Sequence, residues 1–174
     1  TQETHLTSDL KLKYFLLVQE LMGHRQKIEA EVKNGKLEFQ ITTPDYKKKD
    51  SIPFSPTIVP SSTYLLNIVR SGLTIGKKGK VSILVEPFLK VTDLAYVVLR
   101  KEKAELGGKQ VDAYVLHQKM RGMESISWVT TSGMVLREET FDGFKSILEP
   151  KSVATDLGEE VFSTGSFIAS SLIR

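Results

Sequence analysis

Residues 111–149 read VDAYVLHQKMRGMESISWVTTSGMVLREETFDGFKSILE. Three turn signals, Gly122, Ser132-Gly133 and Asp142-Gly143, divide the stretch into four short segments. Polar and apolar residues interleave in each segment at a spacing of about two, the pattern of consecutive antiparallel strands joined by tight turns.

Working outward, the same pattern continues upstream. Glu105-Leu106-Gly107-Gly108-Lys109 is a turn, preceded by a strand over residues 90–101 and another over 81–85, with Pro87 between them. Gly76-Lys77-Lys78-Gly79-Lys80 is a turn before a strand. It lacks the spacing and the following helix of a phosphate-binding loop, which excludes nucleotide binding there.

Residues 61–72 are the one helical stretch. Tyr64, Leu65, Ile68 and Val69 form an apolar stripe, the hydroxyls of Ser61, Ser62 and Thr63 can cap its start, and Gly72 marks its stop. Residues 43–60 hold four of the six prolines around Lys47-Lys48-Lys49 and are expected to form a long loop. Before it, residues 24–34 and 36–41 alternate strictly around Asn34-Gly35, the strongest hairpin signal in the chain. A further strand is expected within 10–22, behind a polar N-terminal arm, with a helix over Leu10 to Met22 as the rival reading. After Glu149 the pattern weakens, and residues 152–174 read as a tail or linker beyond a single domain over 1–151.

The sum is a mainly-β (α+β) domain of about nine or ten antiparallel strands. They are expected in a highly curved sheet or half-barrel, with one helix packed on the concave face.

Composition narrows the function. The 174 residues contain no cysteine, which excludes disulfides, Cys-based zinc sites and a thiol nucleophile. The net charge of +3 is spread along the chain rather than gathered into a basic stripe, which argues against nucleic acid as a partner. No apolar run approaches the ~20 residues of a membrane-spanning helix. Position 1 is Thr rather than Met, so the chain reads as a mature or excised form.

Candidate chemistry is sparse. His5, His24 and His117 show no metal-ligand spacing, and His117 reads as a hydrogen-bonded strand histidine. Glu138 and Glu139 are neighbours on a strand, so they point to opposite faces and cannot share a proton. There is no GxSxG elbow. No metal or other cofactor is expected, and no catalytic residue is assigned. Core packing is the plain reading of the single tryptophan, Trp128. The functional reading is a sheet–helix cavity for a lipid-like apolar ligand, lined by Tyr64, Ile68, Tyr114, Leu116, Ile126, Trp128 and Leu136.

Gly107-Gly108, Val111-Asp112-Ala113-Tyr114, Ser127-Trp128-Val129 and Ser132-Gly133-Met134-Val135-Leu136-Arg137-Glu138-Glu139 resemble the non-catalytic N-terminal domain of bacterial transglutaminase-like proteins. More distantly, they are similar to exported half-barrel domains of the lipoprotein-carrier type. The likeness covers roughly residues 60–174 and is densest at 107–149. It implies an exported, periplasmic accessory domain that positions a substrate or partner for a catalytic module downstream in the same chain. With no cysteine here, the family's Cys-His-Asp chemistry maps onto no residue of this sequence. The alternative is a periplasmic carrier or sensor for an apolar ligand.

Overall fold

The computed structural model describes residues 1–21, 23–150 and Ala154. The proposed tail at 152–174 therefore lies outside the described residues, except for Ala154. The expectation of a mainly-β, antiparallel chain with a single α-helix holds. Its strands divide between two sheets rather than continuing through one, and neither sheet closes on itself.

The first sheet is a five-strand meander: β1 (Gln2–Leu6), β2 (Leu12–Leu21), β3 (His24–Lys33), β4 (Lys36–Thr42) and β5 (Lys47–Pro53). The N-terminal arm is thus a strand, and much of the expected proline loop is β5. That strand survives its lysines and proline because it is an edge. Its side chains are mostly exposed, and Pro53 sits at its last residue. Asn34 and Gly35 both take positive φ, 49° and 73°, as a two-residue type I′ hairpin requires.

The ladder breaks after Pro53. Phe54 and Ile58 turn inward to join Phe15, Ile28 and Leu37 in the core of the first sheet. Pro56 and Pro60 can donate no backbone hydrogen bond. Only a two-residue strand follows, β6 (Val59–Pro60), parallel to β7 (Lys78–Val85).

The second sheet runs β12-β11-β10-β9-β8-β7-β6. Its further members are β8 (Lys90–Leu106), β9 (Lys109–Met120), β10 (Met123–Val129), β11 (Val135–Thr140) and β12 (Lys145–Ile147). The last four are the four segments of residues 111–149, with turns at the three expected places. β7 is buried on both faces. Ile83 belongs to the core beneath the helix, while its neighbour Leu84 belongs to the core of the first sheet.

The helix α1 (Tyr64–Arg70) is shorter than residues 61–72 suggest. Ile68 is its fully buried anchor, worth about 1.5–3 kcal/mol of burial. It packs on the face carrying Ile83, Tyr96, Val98, Leu116 and Val129, called the inner face below. The expected hydroxyl caps are not made, since Thr63 at the N-cap makes no side-chain cap. Ser61 and Ser62 turn instead to a buried carboxylate, Glu86. At the other end, Lys77 Nζ donates to the carbonyl oxygens of Ser71 and, at 2.9 Å, Gly72. That cation satisfies the free end of the helix.

Two register shifts decide what faces where. The first, between Val98 and Arg100, re-phases β8. Tyr96 and Val98 lie on the inner face, but after the shift Glu102 and Ala104 pair with Ala113 and Val111 on the outer face. The second, between Trp128 and Val129, lets Leu136 join the Trp128 cluster.

Candidate functional site

Between the start of α1 and strands β7 to β11 lies a cavity of about 680 Å³. Its size falls in the range of small-molecule sites. One wall is apolar, made by Ile83, Val85, Leu94 and Met120. The other is polar and comes from β9, β10 and β11: Gln118, Ser125, Glu138 and Thr140. The ladder explains why these residues meet. Ser125 pairs with both Gln118 and Thr140, and Ser127 pairs with Glu138, so their side chains share the inner face.

The polar wall is held by a directed chain of hydrogen bonds. Tyr64 O–H donates to Gln118 Oε1 at 2.6 Å. Gln118 Nε2 donates to Ser127 Oγ at 2.7 Å, and Ser127 Oγ donates to Glu138 Oε1 at 3.3 Å. Gln118 is only 2% exposed and Ser127 is fully buried, so the relay is fixed. Burial, and secondarily the Glu138 charge, push the Tyr64 hydroxyl well above the usual phenol range. Tyr64 is therefore a neutral donor.

Behind the cavity, Glu86 is fully buried, and no cation pairs with it among the described residues. Its carboxylate accepts from the Ser61 amide (3.3 Å) and hydroxyl, from Ser62 Oγ (3.3 Å) and from Gln2 Nε2 (3.2 Å). That network ties β1 of the first sheet to the segment leading into α1. At the mouth, Met123 and Phe141 are 63% and 76% exposed.

The seven residues expected to line one cavity fall into two groups. Tyr64, Ile68, Tyr114 and Leu116 lie with the inner-face core, and of these only Tyr64 reaches the cavity. Ile126, Trp128 and Leu136 lie in a separate cluster on the outer face. The cause is register. Trp128 pairs with Val115, not with Tyr114 or Leu116, and a shift of one residue changes the face. Trp128 and Leu136 line a second cavity of about 710 Å³ with Glu102, Arg137 and Ile147. There the indole Nε1 donates to Glu102 Oε1 at 2.5 Å, and the Arg137 guanidinium lies 4.7 Å over the ring.

The sequence reading placed Met120 on the same sheet face as Tyr114 and Leu116 but missed Gln118, Glu138, Ile83, Val85 and Leu94. The signal for Gln118 was present, since Leu116, Gln118 and Met120 alternate along one face of β9.

On the outer face, His117 Nε2 lies 2.8 Å from Glu124 Oε2, and Lys119 Nζ 2.9 Å from Glu124 Oε1. His117 is thus a hydrogen-bonded strand histidine. Lys119, then His117, hold the Glu124 carboxyl below its ordinary range. Glu139 pairs on that face with Arg137 and Lys145, opposite to Glu138. Among the described residues no cluster of three or more metal-ligating side chains occurs, and no helix is long and apolar enough to cross a membrane.

Comparison of the chain with protein-family models, with curated proteins and with solved structures finds no match.

Proposed function

We propose that this chain is a non-enzymatic binding domain that holds an apolar ligand between α1 and the second sheet. The observation that carries the reading is the pairing of a cavity of about 680 Å³ with two large apolar side chains, Met123 and Phe141, left open at its mouth. Met123 and Phe141 carry the apolar lining out to solvent as exposed apolar surface. A ligand chain lying against Ile83, Leu94 and Met120 and emerging past Phe141 covers it.

Substituting Ser125→Trp tests this, because Ser125 sits mid-wall and an indole there fills the space. Isothermal titration of the whole chain with 1-octanol is expected to show saturable binding that the variant weakens by more than about tenfold. Unaltered octanol binding by a folded variant would place the ligand elsewhere.

A second reading concerns context. The residues that resemble the N-terminal domain of transglutaminase-like proteins fall on β9, β10 and β11, three adjacent strands that supply the polar wall. On this reading the domain is exported to the periplasm and presents its ligand or partner to a catalytic module in the same protein. Cellular fractionation with an epitope-tagged full-length gene checks it. A protein confined to the cytosol would remove it.

A further inference from the structure

The charge inside the cavity runs against the charge of the chain. The whole sequence carries +3, yet the charged residues at the inner face of the cavity and its turn are two carboxylates, Glu138 and Asp142. Lys119 and Glu124 also border the cavity but turn to the outer face, where they pair at 2.9 Å. Asp142 accepts from the Thr140 hydroxyl at its own turn. Glu138 is different. Among the described residues no cation pairs with it, and its one hydrogen bond comes from Ser127 Oγ at 3.3 Å.

A carboxylate offers about four acceptor positions, so most of those on Glu138 are open. The donors of the relay are committed to one another. The Tyr64 hydroxyl is used on Gln118, and Gln118 Nε2 on Ser127. All three hydrogen bonds of the relay point towards Glu138, so the relay ends in an acceptor. A ligand complementary to Glu138 must bring donors, and one that also brings positive charge makes the stronger, charge-assisted bond. An anionic head would meet Glu138 with no compensating cation and would be repelled.

We propose that Glu138 is the polar anchor of the cavity and that its ligand is a cationic amphiphile, an alkyl chain bearing an ammonium or guanidinium group. The apolar wall of Ile83, Leu94 and Met120 takes the chain, and Glu138 takes the head. This rests on the cavity being the ligand site.

The test compares octylammonium, 1-octanol and octanoate, three heads on one chain length, by isothermal titration of the whole chain. Octylammonium is expected to bind at least about tenfold more tightly than octanol, and octanoate most weakly. The preference should shrink as sodium chloride is raised. Glu138→Gln keeps the shape of the side chain and its acceptor for Ser127. It should bring octylammonium to within about twofold of octanol. Octanoate binding as tightly as octylammonium would overturn the proposal, as would a preference that survives Glu138→Gln. Octanol binding with no head-group preference overturns only this inference, whereas no binding of any of the three overturns the cavity reading beneath it.

Discussion

Glu86 is fully buried and pairs with no cation among the described residues, yet it joins three parts of the chain. Its four donors come from Gln2, Ser61 and Ser62, so one carboxylate fixes the first strand to the approach of the helix. Glu86→Ala removes from a fully buried position the acceptor that these groups share. Chemical denaturation is expected to show a loss of about 3 kcal/mol, with a smaller loss for Glu86→Gln, which keeps an acceptor. A change within about 0.5 kcal/mol for the alanine variant would mean that the network carries no weight. None of this was visible in the sequence. Ser61 and Ser62 sit where capping hydroxyls belong, and local preference assigns them to the helix. A tertiary partner 25 residues away outbids the cap. Glu138 shows the opposite. Its direction, away from Glu139, follows from strand parity alone, but its role as the end of a relay needed the register of three strands.

The strands themselves were the legible part. Turn chemistry located the hairpin at Asn34-Gly35 and the divisions of residues 111–149, because positive φ and a period of two are local properties. The segment around the proline-rich stretch was misjudged because prolines exclude a central strand but tolerate the end of an edge strand such as β5. The grouping of Trp128 with Leu116 failed for a related reason. Which residues face each other is set by pairing register, and the bulges that set it here have no strong sequence mark. The β8 bulge gives the clearest element-level prediction. Leu99 is the unpaired residue that moves Glu102 to the face of Trp128. Deleting it should return Glu102 to the inner face, break its bond with the Trp128 indole and misplace every later residue of the strand. Urea unfolding is expected to show a loss above about 3 kcal/mol, or no folded state. Replacing Leu99 with Ala keeps the bulge and should cost little, since the side chain is largely exposed. Equal losses for deletion and substitution would show that the side chain matters and the phase does not.

At the scale of the molecule, β7 is the shared wall. Leu84 closes the core of the first sheet and Ile83 closes the core under the helix, so neither sheet is complete without it. The first sheet thereby backs the second, and the second holds α1 over its inner face with a cavity at one end. The outer-face cavity around Trp128 is of similar size but different character. It is bordered by Glu102 and Arg137 rather than by a continuous apolar wall. The two can be told apart by following side chains one by one. Titration of methyl- and indole-labelled protein with octylammonium, watched by NMR, addresses the central claim directly. The account predicts saturable shifts at Ile83, Leu94 and Met120, with the Trp128 indole unmoved. Shifts confined to Trp128, Leu136 and Ile147, or no saturable shift at any of these residues, would contradict it.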